Sequence, residues 1–188
     1  MRLFVEAVLD DEALEAAWSA GQALRAEPQT PSHSIRWVRR EAFHLTLRFL
    51  GEVDESSTSE IASALAELSN LDPMPLQIGE WGTFGGRFPR VVWLGLADDA
   101  GLLPRLRERL DAALAETDLE PDPAPFRPHL TLGRVRRHAT RDELAALRRA
   151  IANRPPLQVS TTVRAVALVE STLTPGSPRY RQLARVEL

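Results

Sequence analysis

Apolar and polar residues alternate in several short segments of the chain, while other segments repeat their apolar residues every three or four positions. The first pattern is typical of strands and the second of amphipathic helices. Strands are predicted over residues 3–9, 35–38, 44–50, 76–78, 91–96, 159–171 and 180–188. Helices are predicted through Leu14, Trp18 and Leu24, over 56–68, over 102–114, and through Leu147 and Ile151. Strands and helices therefore alternate along the chain.

Cap and turn signals mark the ends of these elements. Asp10 or Asp11 is predicted to cap the first helix, and Thr140 with Glu143 predicts a capping box at the start of the last one. The glycine-containing segment 82–87 is predicted to be mobile. Residues 175–178, Pro-Gly-Ser-Pro, predict the turn of a hairpin.

Several neighbouring strands are joined by connections that are too short for parallel crossovers, so the pairing should be largely antiparallel. We predict an α+β fold with two pseudo-symmetric lobes. Each lobe is expected to be a small, mainly antiparallel sheet backed by helices, with the active site in the cleft between them. Because no Gly/Ser-rich linker separates the halves, residues 1–188 are expected to form a single domain.

Composition narrows the function classes. A chain of 188 residues with 44% hydrophobic residues can bury a core, and the absence of long apolar runs or a signal-peptide pattern predicts a cytoplasmic protein without membrane association. The absence of cysteine excludes disulfides, thiolate metal sites and cysteine nucleophiles. A net charge of -3 argues against a general nucleic-acid coat. All 23 basic residues are arginine, however, and its guanidinium binds phosphate in two-point fashion, so a local phosphate site is compatible with this balance.

The tetrapeptide His-Leu-Thr-Leu occurs twice, at 44–47 and 129–132, and only two other histidines exist in the chain. On a strand, the histidine and threonine of each copy face one side while the two leucines face the other. Each copy therefore offers an imidazole and a hydroxyl to one face and two leucines to a core. Two such strands facing each other predict a symmetric site built on His44 and His129.

Two imidazoles can supply one base and one acid near neutral pH, which suits in-line phosphoryl chemistry. Thr46 and Thr131 can donate hydrogen bonds to the non-bridging phosphate oxygens, where charge grows in the transition state. Arg48 occupies the next same-face position of the first strand and is predicted to point into the cleft. Arg134 is one residue out of phase, and we predict that a bulge at Gly133 turns it toward the site.

Other interpretations of these residues remain open at this point. The histidines could be buried structural residues, the threonines could be ordinary strand formers, and the arginines could be solvated or ion-paired. A zinc site needs three or four protein ligands, whereas each strand offers one histidine and no cysteine, so no metal and no cofactor is expected. His33 and His138 are predicted to lie on the surface.

The two His-x-Thr-x motifs resemble those of the two-histidine phosphoesterase superfamily. Within it, Arg-Trp-Val at 36–38 ahead of the first motif is similar to the RNA 2',3'-cyclic phosphodiesterases, also called 2'-5' RNA ligases. The same branch is supported by residues 89–95, residues 126–135, Ser171, Leu173, Gly176 and Tyr180. The segment between Phe84 and Pro89 is shorter than is usual in that family. Phe84 is interpreted as packing within a loop, and stacking of Phe84 or Phe88 on a base is the alternative.

The resemblance implies a metal-independent hydrolysis of RNA 2',3'-cyclic phosphate ends to 2'-phosphomonoesters. It implies that His44 protonates the departing 3' oxygen, that His129 activates water, and that the phosphate ligands are Thr46, Thr131, Arg134 and Arg48. It also implies a reverse reaction that joins 2'-phosphate or cyclic-phosphate ends to 5'-hydroxyl ends through 2'-5' bonds. A monomer acting on such RNA ends is expected.

Two other functions compete with this one. The same chemistry could serve small nucleotide cyclic phosphates or 2'-5' oligonucleotides, which would differ in pocket depth. Alternatively, the protein could be a non-catalytic module that binds RNA ends, although binding alone would not require both an acid and a base.

Overall fold

The computed structural model of the chain describes residues 1–98, 100–174 and 178–188, and nine strands within them form one sheet. The strands are β1 Arg2–Val8, β2 Ile35–Trp37, β3 Leu45–Glu52, β4 Met74–Phe84, β5 Val91–Ala97, β6 His129–Val135, β7 Val159–Val163, β8 Ala165–Thr172 and β9 Arg179–Glu187. The α-helices are α1 Asp11–Ala26, α2 Thr58–Ala66, α3 Leu102–Ala113 and α4 Arg141–Ala152. No helix in the described part of the chain combines the length and the apolar character needed to cross a bilayer.

The sheet has two halves that meet at a single registered pair of residues. The strand order is β7-β4-β5-β6-β3-β1-β8-β9, with β2 also paired to β6, and the pairings between described residues are antiparallel. Leu45 of β3 and Leu130 of β6 form the pair that joins the halves. We call β1, β3, β8 and β9 with α2 and α3 the first lobe, and the other strands with α1 and α4 the second lobe. The predicted α+β fold with two mainly antiparallel lobes is confirmed.

Neither lobe is a continuous stretch of sequence. Helix α1 follows β1 of the first lobe but packs on the second, where a Cβ added to Gly21 would stand 2.6 Å from Cδ2 of Leu132. Helix α3 follows β5 of the second lobe but packs on the first, where Arg107 Nη1 donates to the carbonyl of Leu47 at 2.8 Å. The chain therefore passes back and forth between the lobes several times.

The leucines of both repeats lie in the hydrophobic core, as predicted. Leu45 and Leu130 are fully buried, and Leu47 and Leu132 are at most 3% exposed. Burying a leucine side chain stabilises the fold by roughly 1.5–3 kcal/mol relative to exposure. The leucines thus fix which way each strand faces, and they leave the histidine and threonine of each repeat on the opposite surface.

The predicted capping of α1 by a side chain of Asp10 or Asp11 is wrong. Asp10 does occupy the position before the helix, but its carboxylate makes no capping hydrogen bond. It accepts instead from the Thr162 amide at 2.7 Å and from the Thr161 hydroxyl at 3.3 Å, both on β7. The carboxylate of Asp10 thus accepts a hydrogen bond from the Thr162 amide of β7 instead of from the first amides of the helix. The capping box of Thr140 and Glu143 on α4 is confirmed.

The prediction of a mobile segment over residues 82–87 is also wrong for its first half. Residues 82–84 continue β4, and the turn begins at Gly85 and Gly86, whose φ angles are 107° and 57°. Gly82 has a packing role, because a Cβ there would stand 2.1 Å from Cζ2 of Trp93. The predicted turn at 175–178 lies largely outside the described residues, but the strands on either side of it, β8 and β9, do pair.

Candidate active site

The two histidines are brought together by the pair of residues that joins the lobes. Leu45 and Leu130 immediately follow His44 and His129, and they are directly opposite each other in the antiparallel register. Continuing that register by one residue each way sets His44 opposite Thr131 and Thr46 opposite His129. Four polar side chains thus form a square on the face away from the core, related by an approximate two-fold axis through the leucine pair.

The same backbone contact orients both imidazole rings. Nδ1 of His44 lies 3.0 Å from the carbonyl oxygen of Ala42, and Nδ1 of His129 lies 2.6 Å from that of Arg127, in each case two residues upstream. Since a carbonyl only accepts, each Nδ1 carries the hydrogen and each Nε2 is left to exchange protons. Nε2 of His44 lies 2.9 Å from the hydroxyl of Thr46, which donates to it when the ring is neutral.

The surroundings of both imidazoles lower their pKa values and so favour the neutral rings. Burial lowers the pKa of His44 to about 4; the Ala42 carbonyl opposes this, and the charges of His129 and Arg134 add to the lowering. Burial also lowers the pKa of His129, again with a contribution from Arg134. An anion bound between the rings would act in the opposite direction and raise both pKa values.

Bulges at equivalent positions decide where the two arginines point. The register between β5 and β6 slips at Leu132, and that between β1 and β3 slips at Leu47, so each repeat has its extra residue directly after the threonine. In the second repeat the bulge turns Arg134 to the face of the histidines, where its charge acts on His44 and His129. Arg134 thus lies within electrostatic reach of both imidazoles, with the bulge one residue earlier than expected, and its role as a phosphate ligand stays a prediction.

The predicted position of Arg48 in the cleft is wrong, because the bulge at Leu47 turns it to the core face. The side chain is only 4% exposed. Its Nη1 donates to Oδ1 of Asp111 at 2.8 Å, and its Nη2 donates to the carbonyl of Glu120 at 2.9 Å. Arg48 is thus an anchor between β3 and α3 rather than a group that faces the two histidines.

Each histidine is walled by two aromatic rings that sequence reasoning did not place in the site. The ring centroids of Phe4 and Tyr180 lie 4.7 and 5.0 Å from that of His44. Those of Phe84 and Trp93 lie 4.8 and 6.4 Å from that of His129. Phe84 therefore packs against His129 as part of the cleft wall rather than within a loop.

A carboxyl group also borders the site. Glu6 of β1 lies directly opposite Thr46, and it lines a cavity of about 280 Å³ together with His44, Tyr180 and Gln182. Burial raises the pKa of Glu6 to about 7, and the charge of Arg185 opposes this. No sequence motif distinguishes Glu6, since its place beside the first repeat follows from the pairing of β1 with β3.

The remaining predictions about ligands concern metals and surface histidines. Within residues 1–98, 100–174 and 178–188, no group of three or more histidine or acidic side chains is arranged to hold a metal ion. His33 and His138 are exposed, as predicted. Nε2 of His33 lies 2.5 Å from Oε1 of Glu143 at the start of α4.

Comparison with protein families gives a match over most of the chain. A family model described as the 2'-5' RNA ligase superfamily matches residues 13–174. The chain is 33% identical over 155 residues to a protein of Aeropyrum pernix named RNA 2',3'-cyclic phosphodiesterase, a match that covers 81% of this chain and 86% of the relative.

Solved structures share the fold over its whole length. TT0787 of Thermus thermophilus matches with a TM-score of 0.79 and 27% identity, covering 100% of this chain and 98% of the other. LigT of E. coli, in a crystal structure with 3'-AMP, matches with a TM-score of 0.75 and 27% identity, covering 100% of this chain and 97% of the other.

Proposed function

Because the chain belongs to the 2'-5' RNA ligase superfamily, we propose that it hydrolyses the 2',3'-cyclic phosphate at an RNA end to a 2'-phosphomonoester. The observation that carries this proposal is the square of His44, Thr46, His129 and Thr131 around the leucine pair. It offers a proton-exchanging Nε2 on either side of one small volume, as in-line displacement at phosphorus requires. The name of the Aeropyrum relative supports the same substrate class.

In the proposed reaction, water attacks phosphorus and the bond from phosphorus to the 3' oxygen breaks. Neutral His129 takes the proton of the water at Nε2, while protonated His44 gives its Nε2 proton to the departing 3' oxygen. The hydrogen bonds from each Nδ1 to a backbone carbonyl hold the rings in the tautomer that this exchange needs. The products are a 2'-phosphomonoester and a free 3'-hydroxyl.

Arg134 and the two threonines are proposed to bind the phosphate. The charge of Arg134 reaches both imidazoles, so a phosphate between the rings lies within its field. The same phosphate, being negative, raises the pKa of His44 and supplies the protonated form that the acid role requires. Substrate binding thus charges the catalytic acid, whose pKa of about 4 in the free protein keeps it neutral near pH 7.

The same site is proposed to join RNA ends as well, with a 5'-hydroxyl in the place of water. A 5'-hydroxyl that replaces water as the nucleophile would attack the cyclic phosphate, and loss of the 3' oxygen would leave a 2'-5' bond. This use needs room for a second strand on the His129 side of the cleft. The test of joining incubates the protein with a cyclic-phosphate donor and a 5'-hydroxyl acceptor. The joined product is then digested with a nuclease specific for 3'-5' bonds, which should leave a 2'-5' bond intact.

The test of hydrolysis uses an RNA oligonucleotide that ends in a 2',3'-cyclic phosphate, with and without a chelator. We expect release of a 2'-phosphate at an unchanged rate when metal is removed. His44→Ala and His129→Ala should each lower kcat by about 100-fold or more, as expected for loss of a general acid or base. His138→Ala, which removes an exposed histidine, is the matched control and should retain full activity.

Three results would count against the proposal. A 3'-phosphate product would reverse the assignment of the leaving oxygen, and loss of activity with the chelator would point to metal-assisted hydrolysis. Tight binding of the RNA end without turnover would favour a non-catalytic binding module. Faster turnover of a small nucleotide cyclic phosphate than of the oligonucleotide would favour the small-molecule alternative.

A further inference from the structure

A second polar depression lies beside the catalytic cleft, and arginine dominates its walls. It has a volume of about 710 Å³ and lies between α1, β2 and the short turn at Arg40–Ala42. Five of its lining residues are arginines, namely Arg25, Arg36, Arg39, Arg40 and Arg136. We call this depression the arginine groove. Its lining includes a single carboxylate, that of Glu41.

The positive charge of the arginine groove is largely unneutralised. Arg40 forms an ion pair with Glu15. In the part of the chain that the structure describes, Arg25, Arg36, Arg39 and Arg136 have no carboxylate within ion-pair distance. A chain with a net charge of -3 thus concentrates unpaired cations in one concave surface, where they reinforce each other's attraction for an anion.

Two indole rings lie in the same surface. Trp18 of α1 and Trp37 of β2 both line the groove. Their ring nitrogens donate to backbone carbonyls, Trp18 to Val38 at 3.4 Å and Trp37 to Ser32 at 3.2 Å, so both rings are held in place. Guanidinium groups interleaved with fixed aromatic rings are the combination that binds single-stranded nucleic acid, through phosphates and stacked bases respectively.

The groove is continuous with the catalytic cleft. Arg40 and Glu41 line both the groove and the cavity that contains His44. On the neighbouring strands, Arg36 of the groove lies directly opposite Arg134. The way out of the cleft on the His44 side therefore leads into the groove.

We propose that the arginine groove binds the sugar-phosphate backbone of the RNA strand that precedes the terminal cyclic phosphate. This rests on the proposed function, in which His44 protonates the 3' oxygen and the terminal ribose consequently lies on the His44 side. The strand that continues from that ribose leaves the cleft past Arg40 and enters the groove. The groove thus makes the enzyme selective for polymeric RNA ends over free nucleotides.

The test compares two substrates on the double variant Arg39→Ala/Arg136→Ala, both of whose side chains are exposed. One substrate is adenosine 2',3'-cyclic phosphate, and the other is an RNA decamer ending in a 2',3'-cyclic phosphate. We expect kcat/KM for the decamer to fall about fivefold or more, as for loss of two charge-assisted contacts. For the mononucleotide we expect kcat/KM to stay within about twofold of wild type, since it makes no contact beyond the cleft.

Salt dependence gives a second readout. The slope of log Kd against log salt concentration, measured by fluorescence anisotropy for a decamer ending in a 2'-phosphate, should become shallower by about 1.4 when two arginine contacts to a single strand are lost. A matched control removes two arginines from a separate, smaller cavity, as Arg87→Ala/Arg148→Ala. That variant has the same net charge and should keep the wild-type slope and decamer preference.

The outcomes separate the two proposals. Three results would overturn the proposal for the arginine groove. They are an equal fall in kcat/KM for both substrates, an unchanged kcat/KM for the decamer in the groove variant, and a larger fall for the decamer in the control variant. Hydrolysis of neither substrate by the wild-type protein would overturn the proposed function instead. The salt dependence of decamer binding would then still test the proposal for the groove, because the binding measurement does not require turnover.

Discussion

Glu6 provides a quantitative test of the cleft, because its carboxyl group is held at an energetic disadvantage. It lies on β1 between Thr46 of β3 and Ala167 of β8, with Arg185 one strand further on the same face. Burial raises the pKa of Glu6 from 4.5 to about 7 despite the charge of Arg185. Glu6→Gln keeps the shape of the side chain and removes the charge.

The sign of the effect follows from proton binding. Between pH 4.5 and about 7 the folded protein holds a proton on Glu6 that the unfolded chain has released. The contribution of this group to the free energy of unfolding therefore declines as pH rises through that window. The full difference corresponds to about 3 kcal/mol, and the partial exposure of the group reduces the expected value to about 2 kcal/mol.

Urea unfolding between pH 4.5 and 8 measures this contribution. Near pH 8 we expect Glu6→Gln to be more stable than wild type by about 2 kcal/mol, with the difference shrinking toward zero at pH 4.5. Glu80→Gln, which alters an exposed glutamate on β4, is the control and should change the free energy of unfolding by less than about 0.5 kcal/mol. A difference for Glu6→Gln that is constant across this range, or a less stable variant at pH 8, would refute the reasoning.

Three further predictions test the site and its support. By NMR, the His44 imidazole of the free protein should stay neutral until the pH falls to about 4, and inorganic phosphate should raise its pKa; a midpoint near 6.5 without phosphate would contradict the described burial. Arg48→Met should lower the free energy of unfolding by about 2 kcal/mol. The loss is limited to this size because Asp111 still pairs with Arg107 in the variant. The kcat/KM of the folded variant should stay within about threefold of wild type. A fall in kcat/KM of about 100-fold would instead indicate that Arg48 acts in the catalytic site. Thr140→Ala should cost about 1 kcal/mol in urea unfolding through loss of the capping box, and Thr140→Ser should restore most of it; equal stability of all three proteins would argue against the cap.

The α+β fold and the two-histidine face could be predicted because their signals are local. The period-two alternation of each repeat assigns leucine to the core and histidine with threonine to the other face, and this pattern needs no knowledge of distant contacts. Short connections between strands indicate antiparallel pairing for the same reason. The capping box on α4 is likewise contained within four consecutive residues.

The predicted orientation of Arg48 fails because it follows from strict alternation in β3, whereas a bulge interrupts the alternation of both repeats. Both repeats slip at the leucine that follows the threonine, Leu47 and Leu132, whereas the glycine signal at Gly133 has no counterpart in the first repeat, where Arg48 stands. In β3 the bulge also has a partner, since Arg107 binds the carbonyl of Leu47. That contact joins residues 60 positions apart, and a single sequence does not reveal it.

Tyr180, Trp93 and Glu6 escaped prediction for a related reason. Each reaches the site through strand register: Trp93 lies opposite Thr131, Glu6 lies opposite Thr46, and Tyr180 lies on β9, two strands from Glu6. Which strands are neighbours is a property of the whole sheet rather than of any segment. The error at Gly82 is similar, because the ring that requires glycine there belongs to Trp93 on the next strand.

The crossing of the chain between lobes makes folding a collective event. A fragment that ends before β8 lacks two of the four strands of the first lobe and the tyrosine that packs on His44. A fragment that begins after β1 lacks the strand that lies between β3 and β8. Neither fragment thus contains the complete first lobe, so we expect neither to form the two-histidine site on its own.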